Sequence, residues 1–306
     1  MEKVTETSLD STPTWDQVQR FLFDTAPVRG AFVQLKASWR EILSRREYPL
    51  PIKTVMGELA AAANLLISNL KFKGTLVLQI QGQGALQLVV IEANSDQTFR
   101  ATAKWQADRA LPEGFRALLG DEARFVMTLD PAQGEAWQGV VPLVGDSVAA
   151  CLMHYMQQSE QLETHLQLSA SADEATGFLL QRLPEGQGDA SAWETALVLA
   201  QTLKQEELQT LNPTAILHRL FHEETVRLFP AESIYFACSC SAERVGAMLK
   251  MLGKDDVDDI IAEQGSVAIS CDFCHEHYVF DDEDVALIFS PDQSAAQTPE
   301  QKPTLQ

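Results

Sequence analysis

The spacing of apolar positions changes character twice along the chain. In "TWDQVQRFLF" (14–23) and "GAFVQLKASWREIL" (30–43) apolar residues recur three and four apart, which predicts helices. A third helix is expected from about Pro51 to Leu70, with Pro51 suited to its first turn. After Gly74 the period becomes two. "TLVLQIQG", "ALQLVVIEAN" and "TFRATAKWQ" predict a strand meander, and "RFVMTLD" with "WQGVVPL" a further hairpin. A helix is expected through "SVAACLMHYMQQSEQL", with Asp146 as its N-cap. The strands "THLQLSAS" and "GFLLQRL" follow. Strands in groups with helices between them give an α+β domain over 14–183, after a flexible tail over 1–13.

"PEGQGDAS" (184–191) is a Pro/Gly break, and the pattern beyond it returns to helix. "AWETALVLAQTLKQEELQTL" and "PTAILHRLFHEE" read as two amphipathic helices rich in Gln, Thr and Glu. Helices this short need tertiary packing to persist, so 184–230 is expected to be a metastable helical linker. A small unit follows over 231–290, with strand-like "SIYFA", "SVAIS" and "HYVF" around two short helices, "SAERVGAMLKML" and "DDVDDIIAEQ". The stretch over 291–306 has almost no apolar content and is expected to be a disordered tail.

Charge narrows the function. The 306 residues carry 43 acidic and 23 basic side chains, a formal net charge of −20. That field repels nucleic acid unless a local patch reverses it. The densest basic stretch, "KASWREILSRRE" (36–47), also holds Glu41 and Glu47 and reads as a solvated helix face. "MEKVTETSLDSTPTW" does not resemble a secretory signal, and the apolar run "ELAAAANLLISNL" (58–70) is short for a bilayer and contains Asn64 and Asn69. A cytoplasmic protein without a membrane partner is expected, in a compartment where clustered cysteines more often bind metal or act in redox chemistry than form structural disulfides.

Four of the five cysteines fall in two tight pairs: Cys238 and Cys240 in "YFACSCSAER", Cys271 and Cys274 in "CDFCHEHY". Four thiolates from two knuckles suit tetrahedral zinc, which would stabilise a unit too small to hold itself together by apolar burial. The pattern is C-x-C, thirty residues, C-x-x-C, which departs from the usual zinc ribbon in its first pair and its long insert. A structural zinc site, a redox-switched zinc site and disulfides all remain open on these residues. His275 and His277 flank the second pair as alternative ligands. Elsewhere the signals are weak. "GQGALQ" (82–87) lacks the last glycine of a dinucleotide fingerprint, His218 and His222 form no HExxH, and Cys151 on an apolar helix reads as a small buried residue. Two rival functions are a zinc-ribbon nucleic-acid module and a thiol–disulfide oxidoreductase. The first is opposed by the acidity of the cysteine-bearing unit, the second by the lack of a βαβ context around C-x-x-C.

The arrangement C-x-C…C-x-x-C-x-x-H-Y after "LHRLFHEE" resembles the bacterial redox-regulated heat-shock holdases, the 33 kDa chaperonin family. "RFLFDTAPVRG", "YPLP", "LKFKGTLVLQIQGQG", "QGVVPLVGDSVAACL" and "SEQLETHL" extend the resemblance from about Val18 to Phe289. It implies a non-enzymatic, ATP-independent chaperone that is inactive while Cys238, Cys240, Cys271 and Cys274 hold one zinc. It implies further that oxidation joins Cys271 to Cys274 first, releases zinc and unfolds the surrounding unit and the linker. Cys238 and Cys240 would then join, and the exposed surface would bind unfolding clients. The resemblance implies a monomer when reduced, a homodimer when oxidised, and transfer of clients to an ATP-driven foldase. Cys151 matches an extra family cysteine that is not a ligand, and His275 stands where some members have glycine.

Overall fold

The computed structural model describes residues 16–184 and 191–290. The tails expected over 1–13 and 291–306, and most of the 184–191 break, lie outside these residues. The chain parts into two compact units between Cys238 and Ser239.

The first unit begins with β1 (Gln17–Phe23) and β2 (Val28–Leu35), then α1 (Ala37–Arg45) and α2 (Leu50–Asn69). The meander β3 (Gly74–Gln81), β4 (Leu86–Asn94) and β5 (Thr98–Trp105) leads through α3 (Phe115–Leu119) to the hairpin β6 (Arg124–Pro131) and β7 (Trp137–Pro142). Next come α4 (Val148–Gln158), β8 (Thr164–Ala170) and β9 (Ala175–Arg182). Three helices, α5 (Ser191–Ala200), α6 (Gln205–Thr210) and α7 (Pro213–Phe221), precede the short strands β10 (Val226–Leu228), β11 (Glu232–Ser233) and β12 (Tyr235–Phe236).

These strands form two sheets. One runs β10-β1-β2-β9-β8, with β11 also on β1; the other runs β12-β5-β4-β3-β6-β7. Helix α2 packs against strands of both sheets. It is long and apolar enough to cross a membrane, but most of that length is buried inside the protein, so its apolarity is core apolarity. Its register begins as the sequence suggests, with a proline in the first turn.

The first sheet is covered on both faces. Ala31, Val33 and Leu35 of β2 join the core around α2, while Val28 and Phe32 join a second core with Phe21, Phe178, Trp193, Leu217 and Phe221. The period-two alternation of a strand therefore sends apolar side chains both ways. That explains the principal correction to the sequence reading. Residues 17–23 form a strand, not a helix, and 30–43 splits into a strand and α1. With Val18 on one face and Phe21 and Phe23 on the other, a doubly covered strand imitates helical spacing.

Two smaller corrections follow. The N-cap of α4 is Ser147, which accepts a hydrogen bond from Ala150 N at 3.1 Å, one residue past Asp146. The stretch 192–211 is two helices rather than one, because the chain turns at 201–204 and α6 starts afresh there, the Glu207 carboxylate accepting from the Lys204 N–H at 2.8 Å. Asp16 caps α1 from outside the helix, its carboxylate accepting from the N–H groups of Lys36, Ala37 and Ser38. Basic residues of 36–47 stack on aromatic rings. The Arg45 guanidinium lies 4.8 Å from the Phe236 ring centre, and that of Arg46 4.3 Å from Trp105.

The second unit contains α8 (Ala242–Leu252), α9 (Lys254–Gln264), the hairpin β13 (Val267–Ser270) and β14 (His277–Phe280), and α10 (Asp282–Phe289). Its core is small: Val245, Leu249, Val257, Val267, Phe280 and Val285. Gly265 closes α9 in the left-handed conformation, φ 79°, where a Cβ would be strained. The last helix, α10, was not expected from the sequence; Asp281 starts it with a capping box to Asp284.

Candidate metal centre

Each cysteine pair sits at the end of a strand. Tyr235 and Phe236 pair in parallel with Thr98 and Phe99 of β5, so the C-x-C motif leaves from the edge of the second sheet. The Ala237 N–H extends this pairing to the Phe99 carbonyl at 3.1 Å. Ser241 then caps α8 by accepting from Arg244 N, which turns the chain directly after Cys240. The second pair lies in the turn of the β13–β14 hairpin. There the Cys271 N–H donates to the Glu276 carbonyl and the His275 N–H to the Cys271 carbonyl, both at 2.9 Å.

The four sulfurs of Cys238, Cys240, Cys271 and Cys274 all lie within 4.8 Å of one another. A tetrahedral zinc with Zn–S bonds of about 2.3 Å sets its sulfurs about 3.8 Å apart, so a cluster of this size fits the donor set with modest adjustment. Sulfurs of different pairs come close, with Cys240 Sγ and Cys274 Sγ 3.2 Å apart. These four cysteines are positioned to bind a metal ion. All four were legible from spacing.

Two neighbours were not legible. Tyr278 donates its hydroxyl to Cys240 Sγ at 3.1 Å, and this hydrogen bond raises the phenol's pKa by holding its proton. Arg100 of β5 reaches Cys238 Sγ at 3.5 Å, while its other nitrogens pair with Glu92 at 2.6 and 2.7 Å. Arg100 is 138 residues from Cys238 in sequence, so no local pattern reveals it. Tyr278 lies within the motif, but its role depends on the hairpin register that pairs it with Ile269.

Among the described residues, the flanking histidines are not in the group of side chains positioned to hold a metal ion. His277 Nδ1 lies 2.7 Å from the Ser270 hydroxyl. His275 has a left-handed backbone, φ 58°, a conformation that glycine adopts freely and that histidine tolerates better than β-branched residues do. His218 and His222 are exposed neighbours on one helix with ring centres 6.1 Å apart. Cys151 is buried in α4, its Sγ 3.8 Å from the Gly145 carbonyl, and burial pushes its thiol up to about 11. "GQGALQ" lies at the β3–β4 turn, as expected for a hairpin.

Comparison with known proteins finds relatives that match most of the chain. The model of the Hsp33 protein family matches residues 16–281. The 33 kDa chaperonin of Chromobacterium violaceum is 53% identical over 283 residues, covering 92% of this chain and 96% of its own length. That of Neisseria meningitidis is 50% identical over 275 residues, covering 89% and 91%. The crystal structure of the 33 kDa chaperonin from Thermotoga maritima superposes with a TM-score of 0.76 over 88% of this chain and 97% of its own, at 22% identity, a likeness of fold.

Proposed function

The chain belongs to the Hsp33 family of chaperones, and from that premise we propose that it is an ATP-independent holdase switched on by oxidation of a four-cysteine zinc site. The convergence of four sulfurs within 4.8 Å, from motifs thirty residues apart, carries the reading. Zinc, when bound, would hold the sulfurs as thiolates and contribute about 10–16 kcal/mol of folding free energy. The six-residue core of the second unit is too small to replace that contribution.

The switch works through the chain's own sulfurs. Each closure joins two thiolates in one S–S bond. The two electrons they lose reduce one hydrogen peroxide, which takes up two protons and leaves as two waters. A cysteine in a disulfide is no longer a thiolate ligand, so closing Cys271–Cys274 removes half the donor set. We place this step first and Cys238–Cys240 second, following the family pattern. Sulfur proximity alone would equally join Cys240 to Cys274, and peptide mapping of the oxidised protein decides between these pairings. The second unit then unfolds, and its many acidic side chains favour expansion. The linker 184–230 loses its order, and the apolar surface thereby exposed, together with that of the first unit, binds unfolding clients. The active form is a homodimer of a cytoplasmic protein, and clients pass to an ATP-driven foldase when reducing conditions return.

The test is suppression of thermal aggregation of a client protein, without ATP, by reduced zinc-loaded protein and by protein treated with peroxide at elevated temperature. Suppression by the oxidised form alone supports the proposal. Equal suppression by the reduced form refutes the switch. Binding of single-stranded nucleic acid at low salt would favour the zinc-ribbon module, and catalytic turnover of an insulin disulfide the oxidoreductase.

A further inference from the structure

The second unit carries an apolar groove that the switch does not use. It encloses about 610 Å³ and is lined by Met248, Met251, Leu252, Ile260, Val267 and Ile269, among others. Three of these come from the end of α8, and all three are exposed: Met248 by 46%, Met251 by 82% and Leu252 by 52%. Met251 and Leu252 are neighbours at a helix end, where solvated side chains are the rule for a small unit. Exposed methionines are adaptable, polarisable contacts, typical of surfaces that accept helices of varied sequence. Clustered exposed apolar residues beside a polar surface mark interaction sites.

The charge around the groove selects its occupant. From Ser239 to Ser290 there are twelve Asp and Glu residues against three Lys and Arg. Helix α9, which supplies Ile260 to the groove, also bears Asp255, Asp256, Asp258, Asp259 and Glu263. Asp256 stands four residues before Ile260 and Glu263 three after it, so both flank it on the same side of the helix. Lys254, the one basic residue of α9, is engaged by Asp258 at 2.6 Å. A second copy of this unit would bring an equally acidic rim and is disfavoured. The C-terminal stretch over 291–306 has a single bulky aliphatic residue, Leu305, and cannot fill an apolar groove.

We propose that this groove docks a cationic amphipathic helix of a partner protein, leucine-type side chains seated between the α8 methionines and Ile260, lysine or arginine side chains against the acidic rim of α9. The site belongs to the reduced, folded form. Its wall includes β13, which runs directly into Cys271, so the groove exists only while the second unit is folded. The docking is thus separate from client capture, which on the proposed holdase function belongs to the oxidised form.

The probe is a fluorescein-labelled 14-residue peptide of leucine and lysine with leucines at helical spacing, titrated into full-length, reduced, zinc-loaded protein and read by anisotropy. Two control peptides replace every lysine by glutamate or every leucine by serine. The proposal expects the leucine–lysine peptide to bind at least tenfold tighter than either control. It also expects the double variant M248Q/M251Q, with unchanged zinc content, to bind it at least tenfold more weakly. The same variant, once oxidised, suppresses client aggregation as the unsubstituted protein does, so failure here leaves the holdase reading untouched. Equal binding of the serine peptide, unchanged affinity of the variant, or no binding of the leucine–lysine peptide overturns the proposal. So does a reduced dimer, seen by sedimentation, that the double variant abolishes.

Discussion

Truncating Phe221 to alanine should activate the protein without any oxidant. Phe221 ends α7 in the linker region and is almost wholly buried, 2% exposed. Its ring meets Phe23 edge-on at 5.0 Å and Phe21 at 6.4 Å, against the face of the first sheet that also holds Phe32 and Phe178. A buried Phe→Ala change costs about 3–5 kcal/mol. At 1.36 kcal/mol per tenfold, that raises the undocked population of α5–α7 by roughly 10²- to 10⁴-fold. Zinc content should be unchanged, because Phe221 touches none of the four cysteines. The assay compares reduced, zinc-loaded F221A with unsubstituted protein in client aggregation, alongside hydrogen exchange of α7. Ile216→Val, which costs about 0.5–1.5 kcal/mol, supplies a gentler step in the same core. Activity should rise in the order of the two costs. Faster exchange in α7 with no gain of reduced-state activity would refute the idea that linker docking keeps the client surface closed.

Cys271→Ser removes one of the four proposed ligands. Zinc affinity, measured by competition with a chromogenic chelator, should fall by more than the 10–100-fold typical of an outer-shell change, with partial activity in the absence of oxidant; unchanged affinity would contradict its place in the site. Glu58 sits in α2 with its pKa raised to about 7 by burial, above the usual 4.5. A raised carboxyl disfavours the folded state once charged, so stability should fall by about 3 kcal/mol as pH rises from 4.5 to above 7. Glu58→Gln should remove that fall in urea melts, and an identical pH profile for both proteins would show the burial is not felt. Cys151, with its thiol pushed up to about 11, should be only about one part in 10³ thiolate at pH 8 and resist iodoacetamide until the protein is unfolded. Rapid labelling of Cys151 in the folded protein would contradict its buried, non-ligand role.

Much of the architecture was legible because most elements bury one face. The β3–β5 meander, the β6–β7 hairpin and α2 follow directly from their period, and Pro51 marks the start of α2 as expected. The failure at β1 has a physical cause: its two apolar faces serve two cores, and the second core is built by helices nearly 200 residues later. The cysteine cluster was legible because its members fall in two tightly spaced pairs. Arg100 and Tyr278 were not, since each reaches sulfur through sheet register. Arg100 stands opposite Glu92 in β4, and Tyr278 opposite Ile269 in β13. The acidic surroundings of the α8–α9 groove were visible in composition, but the groove itself exists only through packing.

The central claim is that oxidation of the four sulfurs, loss of zinc and gain of holdase activity are one event. The direct measurement treats reduced protein with peroxide at elevated temperature and follows three signals in the same sample: zinc captured by a chromogenic reporter, remaining thiols, and suppression of client aggregation. The account predicts one zinc released per chain, four thiols lost in two steps, and activity that rises only with or after zinc release. Full activity while zinc is still bound, or zinc released with all four thiols intact, would contradict it.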